Sequence, residues 1–476
     1  MKPAKVLLFL CAVVACLAAL CAAFPPEGLR VGSLTLRLPS LHSVLAKERK
    51  PSLDELMADE QKQQQQKILN SLQDSIDYLQ AQADSSVLRF WMPHGQEDFF
   101  DGLFAQLETA QHDGRTIRIL HYGDSQIEMD RMTQELRTYM QSLFGGGGPG
   151  LQPARQTIPS YAVRQYASGA FTLLSSYGDS SMRRAKGNYG PMARCAHLAG
   201  SGVVTFNASK QSFVDDRVRH FSRIKVIFNN RPGPLTASIE GDTASLQTQE
   251  EMGVHAFEWT LPADTDAVRL RLSGDADIYG IMVDDGFGVA VDNVAMRGCS
   301  GQQFTMINED QLAAAYALMD VGLIILQFGG NSVPYLRAER GTAIYARSIG
   351  RQIDRMHAVC PGAKVLFVGP SDMATTLNGE RQTYPFLPNV VQMLRDTALA
   401  HGAAYWSIYD AMGGKNSMVA WVHEGMAVTD YIHFSTKGVH VMGQRFADAF
   451  DQMHRLYLLR KRLRATAQVA AAAPTQ

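Results

Sequence analysis

The stretch Thr116-Ile117-Arg118-Ile119-Leu120-His121-Tyr122-Gly123-Asp124-Ser125 decides how this chain is read. Its first seven residues, rich in β-branched, aliphatic and aromatic side chains, predict a strand. The strand runs directly into Gly123-Asp124-Ser125, and a helix is expected to follow from about Met129 to Phe144. In an open α/β sheet, the C-terminal strand edge is where loops collect and ligands bind. Glycine lets the backbone turn tightly there, and the Ser125 hydroxyl would emerge at the head of the helix. The tripeptide alone carries little weight. A second copy, Gly178-Asp179-Ser180, lies among the turn residues Tyr177 and Ser181 and reads as a turn.

Upstream, Phe99, Leu103 and Leu107 mark a helix closed by Asp113-Gly114. Downstream, the helix ends at Gly145–Gly148, Pro149 and Gly150. Gly145, Gly147 and Gly150 satisfy G-x-G-x-x-G, but they follow a helix, whereas a dinucleotide site needs a strand before the glycines and a helix after them. From Leu151 to Val289 helical periodicity gives way to short β-type runs: Val203–Phe206, Ile224–Phe228, Thr236–Ile239, Ala256–Leu261, Ala267–Leu272 and Ile278–Val283. Strands at this spacing, separated by turns such as Asn229-Asn230-Arg231-Pro232-Gly233, predict an antiparallel sandwich or jelly roll. After Val291, the apolar runs Val321–Phe328, Lys364–Gly369 and Ala404–Tyr409 alternate with helical stretches at Ile344–Val359 and Val390–Ala400. That is βαβ patterning with a parallel sheet. The expected organisation is one α/β domain in two parts, 86–150 and 290–463, interrupted by a β-domain at 151–289.

At the N-terminus, Lys2 and Lys5 precede an apolar run from Val6 to Phe24. Residues 1–24 therefore read as a signal peptide or membrane anchor, and the chain as exported. Cleavage near Ala23, lipoprotein-type cleavage at Val13-Val14-Ala15-Cys16 and retention all remain open. Residues 25–52 are irregular. From Leu53 the chain is polar and helix-favouring, with Gln61 and Gln63–Gln66, and with Leu69, Leu72, Ile76 and Leu79 at heptad-like spacing. Residues 25–85 are read as a linker and polar helical spacer, with a short dimerising coil as the alternative; the oligomeric state stays open. Residues 464–476 read as a flexible tail.

Composition narrows the function classes. The 476 residues are 46% hydrophobic and 19% charged, so a packed core is feasible. A formal net charge of −1 argues against a nucleic-acid partner. The basic cluster Arg460, Lys461, Arg462 and Arg464 reads as a solvated helix end. Beyond the three cysteines of the apolar segment, Cys195, Cys299 and Cys360 allow one disulfide at most, and no C-x-x-C pair suggests zinc. His423-Glu424 lacks the second histidine of a zincin motif, and no Walker A sequence occurs. No metal or organic cofactor is expected.

Three further groups of residues carry chemistry. In Asp430-Tyr431-Ile432-His433 the spacing lets a carboxylate orient an imidazole for use as a base. The competing reading makes Asp430 a cap for the helix beginning near Thr436 and His433 a core residue. Gly329-Gly330-Asn331 follows a buried strand, where the Asn331 amide would donate to a developing oxyanion. Arg297-Gly298-Cys299-Ser300-Gly301 follows Val291–Ala295 and offers a glycine N–H for the same purpose. Gly301 competes with Gly298 for that role. The Gly329–Asn331 and Arg297–Gly301 segments are each commonplace turns when taken singly.

Their order resembles the SGNH (GDSL-type) hydrolase family block by block. The resemblance covers most of the α/β portion and is most specific at Asp-x-x-His. It implies a flavodoxin-like three-layer sandwich, Ser125 as nucleophile, His433 as base and Asp430 as its orienter. It also implies an oxyanion hole from Ser125, Gly298 and Asn331. Gln126 stands where many members carry Leu, and Ser332 where Asp is common. Ser371 and Asp372, after the strand Lys364–Gly369, are candidates for lining a substrate pocket, with helix capping as the alternative. The β-insert is similar in layout to that of the peptidoglycan O-acetylesterases, whose insert resembles a carbohydrate-binding jelly roll. The resemblance thus implies a periplasm-facing serine esterase removing O-acetyl groups from a carbohydrate, cell-wall peptidoglycan being the expected partner. An O-acetyltransferase on the same scaffold and a non-catalytic glycan-binding envelope protein are the rival readings.

Overall fold

Thr116–Gly123 forms a fully buried strand (β1) at the heart of a six-stranded sheet. The other parallel strands are β2 (Gly288–Ala295), β3 (Val321–Gln327), β4 (Lys364–Gly369) and β5 (Ala404–Ser407). Their order is β2-β1-β3-β4-β5, with Phe90–Trp91 added antiparallel to β5. This is a flavodoxin-type order, as the family resemblance implies, with the chain reversing direction across the sheet between β1 and β3. The structure, a computed structural model, describes residues 2–25, 28–31, 34–36, 52–184 and 187–472. Most of the 25–52 linker reading lies outside them.

The strands alternate between two cores because successive side chains point to opposite faces. Ile117, Ile119, Leu323, Ile325, Leu366 and Val368 face helices Asp101–Asp113, Thr133–Phe144 and Thr436–Ala472. Leu120, Tyr122, Ile324, Leu326, Val365 and Phe367 face helices Glu309–Ala317, Glu339–Val359 and Leu387–Ala400. Both faces of the sheet are therefore covered, which gives three layers.

Between Gly150 and Asp284 the chain builds an eight-stranded, wholly antiparallel sheet around its own core of Phe206, Phe221, Phe228, Phe257 and Trp259. The runs expected as Ala267–Leu272 and Ile278–Val283 are one strand, Ala267–Asp284. Its first half pairs with Arg194–Ala208 and Leu235–Ile239, and its second half with Arg223–Asn230 and Gly150–Gln152. The Gly145–Gly150 run is the seam where this segment leaves the parallel sheet. A Cβ on Gly146 would lie 2.6 Å from Val289 O, and one on Gly150 2.3 Å from Asp292 Oδ1.

Buried charge fastens the same seam. The Arg118 guanidinium, 1% exposed, donates to Asp292 Oδ2 and Oδ1 at 2.8 and 2.7 Å and to Asp284 Oδ2 at 2.5 Å. Asp284 also accepts from Arg223 Nε at 2.8 Å, and Asp292 from Leu151 N–H at 2.7 Å. Burial would raise the Asp284 carboxyl, but Arg118 and Arg223 hold it below the ordinary range.

The two ends of the chain depart in part from their expected description. The chain divides into two units, Met1–Ser71 with Thr466–Gln476, and Leu72–Ala465. In the first, Pro3–Ala23 is a helix long and apolar enough to cross a membrane. In the second, the end of helix Leu53–Ser85 is no free spacer: Ile76 and Ala83 are buried with Phe90, Phe100 and Phe450. Residues 464–472, expected to belong to a flexible tail, continue the helix Thr436–Ala472. Nor are the basic residues of that helix merely solvated, since Arg460 and Arg464 pair with Asp101 at 2.6 and 2.9 Å and Lys461 with Glu108 at 2.6 Å. Cys195, Cys299 and Cys360 are free thiols.

Removing Arg118 leaves buried Asp292 with no cation beside it and Asp284 with Arg223 alone, a loss of about 3–5 kcal/mol. Arg118→Met is expected to lower the urea midpoint accordingly. Adding Asp292→Asn should recover part of the loss, and equal stability of Arg118→Met and wild type would refute this account of the seam.

Candidate active site

The C-terminal edge of the sheet gathers the predicted blocks. β1 delivers Ser125, β2 Gly298, β3 Asn331 and β4 Ser371, while the loop before helix Thr436–Ala472 delivers Asp430 and His433. They line a cleft of about 580 Å³. Ser125 Oγ and His433 Nε2 are 2.8 Å apart, and His433 Nδ1 lies 2.7 Å from Asp430 Oδ2. The other Asp430 oxygen accepts from the N–H groups of Ile432 and His433 at 2.9 and 3.0 Å. Burial alone would raise this carboxyl, but the hydrogen bonds from the His433 ring and from those two N–H groups hold it below the usual carboxylate range.

The segment after Ser125 is not the expected helix start. Ser125–Asp130 is a short 3₁₀ stretch broken by a kink, and the helix begins only at Thr133. Met129, Asp130 and Met132 have φ of +60°, +73° and +48°. Such conformations persist only where their surroundings enforce them. Here Asp130 receives both amino groups of buried Arg137, one at 2.8 Å, and Arg137 Nε donates to Val291 O at 2.8 Å. Glu128 takes a two-pronged contact from Arg297, with Nη2 to Oε2 at 2.6 Å. Neither pairing carries a motif visible in the sequence.

Asn331 lies beside Ser125, but its amide is engaged. Nδ2 donates to Asp124 Oδ2 and to Cys299 O, each at 3.1 Å. Burial pushes Asp124 up to about 6, against hydrogen bonds from Gln126 N–H and Asn331 and the nearby His433 ring. The two candidate glycines differ in their surroundings. Gly298 is exposed in the cleft, whereas a Cβ on Gly301 would meet the Phe328 ring at 2.7 Å. Ser371 lines the cleft. Asp372 does not: it is fully buried and accepts from Met418 N–H and Thr383 Oγ1, each at 2.8 Å, so it fastens the hairpin Ala374–Thr383 to helix Ser417–His423. Ser180 is exposed in a short 3₁₀ turn after positive-φ Gly178, as the turn reading requires.

Beneath the site, His121 is completely buried, with Nε2 2.9 Å from Gln327 Oε1 and Nδ1 3.0 Å from Thr133 Oγ1. Sequence reading gave this histidine no role beyond the strand.

Residues 272–441 match the model of the GDSL-like lipase/acylhydrolase family. The chain carries a GDSL-like lipase/acylhydrolase domain. It is an ester-hydrolysing enzyme, and the matched segment holds Gly298, Asn331, Asp430 and His433, while Ser125 comes from β1 on the far side of the β-insert. Among solved structures, a peptidoglycan O-acetylesterase is similar over 78% of this chain and 99% of its own, with 23% identity and a TM-score of 0.63. A family two carbohydrate esterase from Cellvibrio japonicus aligns over 62% and 99%, with 9% identity and a TM-score of 0.25. The first likeness shows a shared fold over 78% of this chain. No curated protein matches the chain in sequence.

Burial drives the His121 imidazole down to about 4, far below its ordinary value of about 6.5. Between these values the unfolded chain binds the extra proton, so the stability contributed by neutral His121 is lost as pH falls from about 6.5 to about 4. The full effect is on the order of 3 kcal/mol. Wild type should therefore lose more stability than His121→Gln between pH 7 and pH 4.5 in urea denaturation. Parallel losses would show that His121 does not carry the effect.

Proposed function

We propose that this GDSL-type enzyme is an exported serine esterase that removes O-acetyl groups from a carbohydrate, cell-wall peptidoglycan, through Ser125, His433 and Asp430. The observation that carries the reading is the unbroken chain from Ser125 Oγ to His433 Nε2 and from His433 Nδ1 to Asp430, at 2.8 and 2.7 Å. With Nδ1–H donated to the carboxylate, Nε2 is left to accept the serine proton. Ser125 Oγ attacks the acetyl carbonyl carbon, and its proton passes to Nε2. The tetrahedral intermediate collapses as Nε2 returns that proton to the departing sugar oxygen. Water, deprotonated by the same nitrogen, then releases acetate and restores Ser125.

Ser125, Gly298 and Asn331 line the cleft where this chemistry would occur, and the oxyanion hole would draw on the first two N–H groups and the Asn331 amide. Tyr335 presents an exposed ring at the cleft mouth, suited to the face of a sugar. Export is supported by the apolar helix Pro3–Ala23. The carbohydrate assignment is supported by the shared fold of the peptidoglycan O-acetylesterase.

A fluorophosphonate probe should label Ser125 and no other serine. Ser125→Ala should abolish release of acetate from O-acetylated peptidoglycan and turnover of p-nitrophenyl acetate, while Ser180→Ala stays within a few-fold of wild type. Labelling elsewhere would overturn the reading. Adding an oligosaccharide acceptor should leave acetate release unchanged; its conversion into acetylated acceptor would make the chain a transferase.

Asn331 separates an oxyanion donor from a turn residue. Loss of one such donor costs on the order of 10²–10³ in kcat with little change in KM. Asn331→Ala should show that pattern, and Asn331→Asp should be at least as slow, since it sets a second carboxylate against Asp124. In a turn, Asp substitutes for Asn better than Ala does. Near-normal kcat in folded Asn331→Asp would therefore remove Asn331 from the oxyanion site.

A further inference from the structure

We infer that Gln126 is a positioning residue that holds His433 in register with Ser125, an inference that rests on the Ser125–His433–Asp430 reading. The base sits on a partly solvated loop: the side chains of His433 and Asp430 are 34% and 42% exposed. The loop has ties of its own. Val428 N–H donates to His433 O at 3.0 Å, Ala374 N–H donates to Tyr431 O at 3.0 Å, and the Arg381 guanidinium lies 4.6 Å over the Tyr431 ring. Tyr431 itself takes a φ of +58°. These ties set the loop's shape and hold its outer flank against the hairpin Ala374–Thr383. On its inner side buried Phe434 bridges to Ala427 and packs on Trp421, and the side facing Ser125 remains to be held.

Gln126 spans that gap. It follows Ser125 directly, is 8% exposed, and its own N–H is held by Asp124 Oδ1 at 3.0 Å. Its Nε2 donates to Ile432 O at 2.8 Å and reaches Ser371 Oγ at 3.4 Å. Its Oε1 accepts from Phe434 N–H at 3.5 Å. One amide therefore grips the main chain on both sides of His433, from the residue next to the nucleophile. The gap between Oγ and Nε2 is fixed through one residue on each strand of the contact. The bond to Phe434 N–H is buried and that to Ile432 O half-buried, so water weakens them only in part.

The chemistry demands a group that donates and accepts at once. Leucine, usual at this position in the resembling family, does neither and packs only. A glutamate accepts at both ends when ionised and would face the Ile432 carbonyl with a second acceptor. When protonated, it regains a donor. A neutral amide satisfies both neighbours at every pH of interest.

The test compares wild type, Gln126→Leu and Gln126→Glu, all first shown to melt near wild type. p-Nitrophenyl acetate supplies kcat and KM, and fluorophosphonate labelling at Ser125 supplies nucleophile reactivity. Displacing a catalytic pair by about 1 Å costs up to about 10²-fold, so Gln126→Leu should lose about 10- to 100-fold in kcat and in labelling rate, with KM within two-fold. The kcat of Gln126→Glu relative to wild type should rise as pH falls from 7.5 to 5.5, because the carboxyl gains its proton, while the Gln126→Leu ratio stays flat. Unchanged labelling of Gln126→Leu, or a loss confined to KM, overturns the positioning role while the triad stands. Absence of Ser125 labelling in wild type overturns the triad and this inference with it.

Discussion

Arg118 is a cation with nowhere to go. It sits in the middle of the sheet at 1% exposure, so its charge is tolerable only with both carboxylate partners in place. Those partners lie at opposite ends of the β-insert's attachment: Asp292 on β2 also holds Leu151, where the chain departs, and Asp284 ends the last strand of the insert. Hydrophobic burial has no direction, whereas a guanidinium fork does. The network therefore decides how the insert seats on the sheet, and with it the register of β1 and β2. In that register Gly123 pairs with Ala295, which brings the ends that carry Ser125 and Gly298 level.

On that fixed edge the Asp124–Asp130 turn ties the site together residue by residue. Asp124 meets the Asn331 block, Ser125 the His433 loop, Glu128 the arginine beside Gly298, and Asp130 the helix through Arg137. The positive φ values at Met129, Asp130 and Met132 cost of order 1–3 kcal/mol each. A regular helix would be locally cheaper, but it would turn these carboxylates away from their partners. Strain and ion pairs are thus two sides of one arrangement.

What was legible in the sequence follows from the same physics. The parallel strands showed themselves because they are buried on both faces and read as unbroken apolar runs, Val321–Phe328 most plainly. The Ser125, Asn331, Asp430 and His433 blocks were legible because each pairs a special residue type with a strand end or a fixed short spacing. Strand Val163–Ser175 escaped because most of its residues are exposed, and Gln165-Tyr166-Ala167-Ser168 shows no apolar alternation. The hairpin Ala374–Thr383 is likewise mostly solvated and polar. The Glu128–Arg297 and Arg118–Asp284 pairs join residues more than 150 positions apart, and such pairing leaves no periodic trace. Gln126 was visible only as a departure from a family habit. Its reach to both sides of His433 exists only once the loops have folded together.

The engaged amide of Asn331 bears on how the proposed oxyanion site works. Its two hydrogens are held by unequal acceptors, the Asp124 carboxylate and the neutral carbonyl of Cys299. The carboxylate bond is charge-assisted and roughly twice as strong as a neutral one, so it fixes the amide plane. The carbonyl bond is the weaker and the one to yield. A ground-state ester oxygen, itself neutral, has little to gain by displacing Cys299 O, but an oxygen that has become anionic has a great deal. The exchange is therefore favourable mainly as charge develops, which is the condition for an interaction to accelerate a reaction rather than merely to bind substrate. Asp124 at the same time sets a limit on this benefit, because an ionised carboxylate behind the donor opposes negative charge in front of it. A carboxyl pushed up to about 6 by burial is on the threshold of losing that charge. At neutral pH such a carboxyl is still mostly ionised, so Asp124 orients the donor and keeps most of that penalty.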